Sequence, residues 1–267
     1  MTYQFAEVNG IRMHYDVQGQ GPALVLIHAG IANLSMWAAQ VAAFSPHFTV
    51  IRFDVRGFGE TPDPAGKYSD HDDLKVLLDG LGVEKAHVLG ISNGGRIAID
   101  FTLTYPQMVK RLMLVAPGVG GFPYPDDPFE TQMYADYDKA IKAGDKDRAA
   151  EIEAQVWVDG PRRKPGDVDT EFRKQALALI RHTIELGIGD GEGDIARPPA
   201  AERLGEIKAP ALLILGEEDL VGMLVVAAAL EAAIPNLKRV DLPGTAHLPP
   251  MEKPDEFNQI VLDFLQE

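Results

Sequence analysis

The sequence predicts an α/β fold: a mostly parallel central sheet with flanking helices and a helical segment inserted between core strands. Three observations predict it. Five short apolar runs rich in β-branched residues recur along the chain, helical periods separate them, and over one long interval, 119 to 206, strands give way to helices. Continuous apolar runs of this length read as strands covered on both faces. Their alternation with helices calls for parallel pairing through right-handed crossovers.

The elements follow in order. Residues 3–8 and 11–18 are strand candidates separated by Asn9-Gly10, a strong hairpin-turn dipeptide, so the chain enters the sheet antiparallel. The buried strands are ALVLI (23–27), TVIRF (49–53), AHVLG (86–90), RLMLVA (111–116) and ALLIL (211–215). Helical patterns occupy 36–44, 70–82, 94–105, 223–233 and 254–266. In the inserted interval helices are expected near 127–143, 145–158 and 167–186, and Phe172, Ala176, Leu179, Ile180 and Ile184 share one face of the last. Gly- and Pro-rich punctuation, GVGGFPYPDDP and GDGEGDIARPP, bounds the interval. The expected organisation is therefore a core made of 1–118 and 207–267 with a semi-independent helical lid over 119–206. The GDGEGD loop lacks the ligand spacing and terminal glutamate of a helix-loop-helix calcium site, so calcium is not expected there.

Composition excludes several classes. A chain of 267 residues, 46% of them hydrophobic, can bury a full core. Its net charge of −15, with no basic cluster longer than Arg162–Lys164, argues against a nucleic-acid partner. No apolar run approaches the ~20 residues a membrane span needs, and the first residues, MTYQFAEVNG, lack the pattern of a signal peptide. A cytoplasmic location is the expectation. Zero cysteines leave no disulfide, thiolate metal site or cysteine nucleophile.

Chemistry concentrates in HVLGISNGGRIAIDF, 87–101. Ser92 stands between a buried strand ending at Gly90 and a helix opening near Gly94, at the sheet edge where open α/β folds bind ligands. Gly90-Ile91-Ser92-Asn93-Gly94 is a G-x-S-x-G strand-turn-helix, in which a sharp turn exposes the serine and the flanking glycines avoid collision with neighbouring backbone. A serine hydroxyl needs a base, and the base an orienting carboxylate. His247, in LPGTAHLPPMEKP, and Asp219, in LLILGEEDL, both stand in loops just past strands. Taken singly, Ser92 reads as a turn former, His247 as a polar loop residue and Asp219 as a helix cap. Those readings leave unexplained the chain order Ser92, Asp219, His247, which is the order of a hydrolytic triad on this type of sheet.

The chain resembles the α/β-hydrolase superfamily, in its small capped esterase and 3-oxoadipate enol-lactonase-like branch. LVLIHAG with Trp37 downstream, FDVRGFGET, VLGISNGG, LVAPG, LLILGEED and GTAHLPPMEKPDEF carry the likeness over nearly the whole chain, although the cap matches in position only. The resemblance implies Ser92 as nucleophile, His247 as general base and then acid, Asp219 as its orienting partner, and an oxyanion hole from the backbone N–H groups of Gly30 and Asn93. No cofactor or metal is implied.

Two positions depart from the family pattern. Ala29 stands where a glycine is common, so the loop must differ locally if the backbone there needs positive φ. Asn93 replaces the Met, Gln or Leu usual after the nucleophile. Asp54, Arg56 and Gly57 match a family loop that ties a turn together. Glu217 and Glu218 are rival acids to Asp219. His14, His47, His71, His87 and His182 read as surface or packing residues, and Trp157, Phe122 and Tyr124 as either pocket lining or packing beneath the cap.

The expected activity is cofactor-independent hydrolysis of a small-molecule carboxylic ester of short to medium acyl length, or of a lactone, through an acyl-enzyme on Ser92. An aspartate nucleophile, as in dehalogenases and epoxide hydrolases, is excluded by Ser92. Carbon-carbon bond hydrolysis and perhydrolysis share the triad and stay open, as does a triad-bearing ligand receptor with little turnover. A homo-oligomer is also left open.

Overall fold

The computed structural model describes residues 4–187, 189–194 and 196–267. In chain order the strands and helices are β1 (Gln4–Val8), β2 (Ile11–Gln18), β3 (Ala23–Ile27), α1 (Ala38–Phe44), β4 (Thr49–Phe53), β5 (Gly66–Tyr68), α2 (Asp70–Gly80), β6 (Ala86–Ile91), α3 (Asn93–Thr104) and β7 (Val109–Val115). There follow α4 (Pro128–Lys142), α5 (Lys146–Ala154), α6 (Thr170–Leu186), β8 (Gly191–Gly193), β9 (Ala211–Gly216), α7 (Val221–Ala233), β10 (Leu237–Leu242), α8 (Pro249–Glu252) and α9 (Pro254–Gln266).

Eight strands form one sheet in the order β1-β2-β4-β3-β6-β7-β9-β10. The Asn9-Gly10 turn takes positive φ at both residues, 42° and 83°, as a tight hairpin requires, and closes β1 against β2 in antiparallel register. β2 pairs antiparallel with β4, and every pairing from β4 to β10 is parallel. Alternation within the apolar runs sorts side chains onto two faces. Val25, Ile27, Val88, Leu112, Leu114 and Leu213 pack with α2, α3 and α7, whereas Leu24, Leu26, Leu89, Met113, Val115 and Ile214 pack with α1 and α9. A one-residue slip would exchange the two sets, so burial fixes the register.

That register brings the functional loops together. Ile27 lies opposite Gly90, Ile91 opposite Val115, Val115 opposite Ile214, and Gly216 opposite Leu242. The segments leaving β3, β6, β9 and β10 therefore emerge at one edge. From β3 the chain steps first to β4 on one side and later to β6 on the other, so β3 and β6 flank the switch point where such sheets hold ligands.

Between β7 and β9 the chain makes a helical excursion. Asp127, Asp145 and Asp169 cap its three helices by accepting backbone N–H bonds from Phe129, Arg148 and Phe172. Phe172, Ala176 and Ile180 of α6 are buried, in company with Ala150, Ala154 and Val158, against the core face of α1 and α9. Two details differ from the periodicity. The helix expected through 158 ends as an α-helix at Ala154 and continues as a π-helical turn, Gln155–Asp159. The GDGEGD loop forms β8, which pairs with β5 in a separate two-stranded sheet. Among the described residues no helix is long and apolar enough to cross a membrane.

Candidate active site

Ser92 is the hinge between β6 and α3. Its φ of 55° and ψ of −117° lie where L-residues are rarely found, at a cost of roughly 1–3 kcal/mol. The turn is held by Ser92 N–H donating to Val115 O (2.9 Å) and by Gly118 N–H donating to Ser92 O (2.9 Å). The motif glycines are sterically required. A Cβ at Gly94 would meet the carbonyl oxygens of Ile27 and His28, the latter at 2.6 Å, and one at Gly90 would come within 2.9 Å of Gly95 N. Serine is among the best helix caps, and Ser92 holds the cap position of α3, yet its side chain makes no capping bond. The turn-former reading therefore does not account for it.

His247 and Asp219 meet in the interior. Nδ1 of His247 lies 2.9 Å from Asp219 Oδ2, and each residue is 1% exposed. The second oxygen, Asp219 Oδ1, accepts the Leu220 N–H at 2.8 Å, so the carboxylate is fixed at both ends. It does not cap α7, whose cap residue is Leu220. Nε2 of His247 is buried without a hydrogen-bond partner among the described residues. Because Nδ1–H facing a carboxylate leaves Nε2 as the acceptor, this atom is the one available to a hydroxyl. Resting structures often hold such catalytic contacts open. The rival acids are turned elsewhere: Glu218 pairs with Arg162 (2.8 Å), and Glu217 is exposed.

Gly30 and Asn93 are neighbours, since a Cβ built on Gly30 would lie 3.4 Å from Asn93 Cβ. Asn93 is the first residue of α3, and its N–H therefore lacks an intrahelical acceptor and sits at the positive end of the helix. Ala29 adopts no positive φ, so the alanine fits without strain. It is buried, and its carbonyl accepts from Ala32 N–H (3.1 Å) and from His28 Nδ1 (2.8 Å). His28 Nε2 accepts the Val55 N–H at 2.9 Å, which stitches the loop after β3 to the loop after β4. Burial lowers the His28 pKa against the pull of Asp54, in keeping with this neutral, doubly bonded ring. The Asn93 amide oxygen accepts from Arg96 Nε (3.0 Å), and Arg96 is itself paired with Asp70 and Asp100.

Asp54 and Arg56 are structural, as their loop suggested. Asp54 accepts backbone N–H bonds from Leu34 (2.8 Å) and Glu60 (3.0 Å) and lies 2.6 Å from His14 Nδ1, and Arg56 pairs with Asp73 (2.9 Å). His14, His71 and His87 are buried and His47 is exposed.

The helical excursion reaches this site. The Trp157 ring lies 4.4 Å from the His247 ring, centroid to centroid, at 45°, and Trp157 O accepts the His247 N–H at 3.3 Å. Tyr124 stacks edge-on with Phe122 at 5.3 Å, and its hydroxyl accepts the Val119 N–H. Three residues that periodicity did not single out also converge here. Glu130 of α4 feels both Asp219 and His247; burial first, then the Asp127 and Asp219 charges, raise its pKa, while His247 opposes them. Glu153 of α5 lies near Trp157, and burial raises its pKa. Arg163 bridges the excursion to the loop before His247, and its signal was visible in the one basic cluster of an acidic chain. Among the described residues no group of three or more His, Cys, Asp or Glu side chains could hold a metal ion.

Comparison with known proteins agrees with the topology. Residues 22–254 match the family model for the alpha/beta hydrolase fold. A 2-hydroxy-6-oxononadienedioate/2-hydroxy-6-oxononatrienedioate hydrolase of Paraburkholderia phymatum is 32% identical, over 96% of this chain and 91% of its own. A carboxylesterase of Bacillus subtilis is 27% identical over 91% of this chain and 80% of its own. The crystal structure of the enol-lactonase from Burkholderia xenovorans LB400 superposes with a TM-score of 0.79 at 25% identity, covering 98% of this chain and all of that one. With the family model spanning most of its length and relatives of matching extent that are hydrolases, this chain belongs to the α/β-hydrolase family.

Proposed function

We propose that the protein is a serine hydrolase that cleaves carboxylic esters of short to medium acyl length, or a lactone, through an acyl-enzyme on Ser92. One observation carries this reading: His247 is fixed through Nδ1 to a buried carboxylate, with Nε2 left unpartnered, on the sheet edge where Ser92 is held strained with its hydroxyl free of capping. In the first step Ser92 Oγ bonds to the ester carbonyl carbon while its proton passes to His247 Nε2. The carbonyl oxygen becomes an oxyanion, and the Gly30 and Asn93 N–H groups are placed to donate to it. Collapse breaks the ester bond, and His247 returns the proton to the departing alkoxide. Water then repeats the sequence on the acyl-enzyme and releases the acid. Asp219 stays ionised throughout, holding the productive tautomer and stabilising the imidazolium.

We also propose that 119–206 acts as a cap over a core of 1–118 and 207–267, on the strength of the contact between Trp157 and His247. The relative named for a dioate substrate keeps carbon-carbon hydrolysis as a second reading. The carboxyl group of Glu130, which feels both Asp219 and His247, weighs against a doubly anionic substrate. Turnover of p-nitrophenyl esters, lactones and vinylogous diketones, with Ser92→Ala as the blank, decides among these. Multiple turnovers of a short ester or lactone are expected; diketone cleavage alone, or at most one acyl group bound per chain, would refute the reading.

A further inference from the structure

Trp157 is held against His247 by more than apolar contact. It lies in the π-helical turn Gln155–Asp159, which interrupts the helix expected from the periodicity. Such turns are rare and recur at functional sites. This one is bolted down on both sides. Asp159, 1% exposed, takes two bonds from Arg173, at 2.8 and 2.9 Å. Arg163 donates to Val158 O and Asp159 O within the turn (both 2.8 Å), to Gly244 O across the gap (2.7 Å), and to Glu252 (2.6 Å). Glu252 in turn accepts the Ala246 N–H (3.1 Å), one residue before His247. Behind the turn, Gly160 at φ 76° lets the chain press on Ala246 and Glu218, where a Cβ would lie 3.2 Å from Ala246 Cβ.

This arrangement fixes an indole ring, tilted at 45°, against an imidazole that becomes cationic when it takes a proton. A cation over a tryptophan face gains about 0.5–2 kcal/mol, the upper end when desolvated. We propose that Trp157 is a positioning residue for His247: the indole sets the imidazole plane and stabilises the imidazolium. The inference rests on the reading of His247 as the general base. The acidic groups facing His247 are Asp219, from the loop after β9, and Glu130, from α4. Glu252, neutralised by Arg163, lies behind Ala246.

The test compares Trp157→Phe and Trp157→Leu with the unmodified protein on a short p-nitrophenyl ester, read as kcat, KM and pH profile, with a melting curve for each variant. Trp157→Leu, which removes the aromatic ring, is expected to lower kcat about 3- to 10-fold with KM within about 2-fold, the span set by the cation–aromatic energy. It should also move the acidic limb of the rate profile to lower pH, because an interaction that favours the imidazolium is gone. Trp157→Phe, which keeps a ring, should lose less by both readouts. Equal losses from the two variants, an effect confined to KM, or an unmoved limb in Trp157→Leu would each overturn the proposal. A readout independent of turnover covers a variant that fails to fold. The Trp157 fluorescence of the unmodified protein, isolated by difference from Trp157→Phe, should be quenched as the imidazolium forms; constant fluorescence across that range would equally overturn it. His247→Ala separates the two layers: if it keeps turnover and the limb, the parent reading fails, whatever the Trp157 variants do.

Discussion

Replacing Asp219 by Asn should nearly abolish turnover, and the structure says why the change cannot be absorbed. Asp219 Oδ1 accepts the buried Leu220 N–H at 2.8 Å, and Oδ2 lies 2.9 Å from His247 Nδ1. An asparagine that keeps its oxygen on Leu220 must point its NH2 group at Nδ1. That nitrogen then becomes an acceptor, the ring proton moves to Nε2, and Nε2 can no longer take a proton from Ser92. Rotating the amide instead sets its NH2 against the Leu220 N–H and orphans a buried donor, at about 1–3 kcal/mol. The charge is lost in either case. Two unit charges 2.9 Å apart at an effective dielectric near 20 attract by about 6 kcal/mol. At about 1.4 kcal/mol per tenfold, the upper bound on the loss in kcat is roughly 10,000-fold, and the equivalent substitution in the serine-protease triad costs about as much. Initial rates on a short ester, with melting temperatures to confirm folding, are the assay. Glu217→Gln and Glu218→Gln serve as controls, since Glu217 is exposed and Glu218 pairs with Arg162. An Asp219→Asn enzyme within 10-fold of wild type, or a larger loss from Glu218→Gln, would refute the reasoning.

Gly94→Ala pushes a methyl group into the carbonyls of Ile27 and His28, so it should cost about 1–3 kcal/mol in urea unfolding and lower kcat. Gly80→Ala, at an open position near the end of α2, should be neutral or slightly stabilising; equal effects at the two sites would count against the elbow packing. Burial first, then Lys110 and Arg111, push the His87 pKa down to about 4 from 6.5. The native state therefore binds fewer protons than the unfolded chain between those values, and the stability present above pH 6.5 is lost as pH falls toward 4. His87→Leu should remove about 1–3 kcal/mol of that loss, and stability curves that stay parallel from pH 7 to pH 4 would contradict it. Butyrate and hexanoate esters should be cleaved faster than long-chain triglycerides. Faster triglyceride turnover with activation at the oil interface would show that the pocket has been misread.

The core strands were legible because each is a short apolar run whose register is dictated by burial on two faces, as with Leu24 and Val25 or Met113 and Leu114. The elbow was legible because steric necessity leaves a sequence mark: only glycine fits at positions 90 and 94. That Asp219 turns to His247 and Glu218 to Arg162 while Glu217 is exposed was not legible, since adjacent residues in a tight loop carry no period. Nor was the π-helical turn, because Ala154, Val156 and Val158 continue an apolar pattern compatible with either helix. The pairing of β5 with β8 joins GKY to GEG, two segments with no apolar alternation to read. Trp157 and Arg163 meet residues distant in sequence, His247 and the Gly244 carbonyl, so only the folded chain reveals them.

The central claim is that Ser92 is the nucleophile and that His247 activates it. Intact-mass and peptide analysis after reaction with a fluorophosphonate tests it most directly. The account predicts one adduct per chain, on Ser92, formed with concurrent loss of esterase activity, absent in Ser92→Ala and strongly slowed in His247→Ala. A stoichiometric adduct on any other residue, or undiminished labelling of Ser92→Ala, would contradict it.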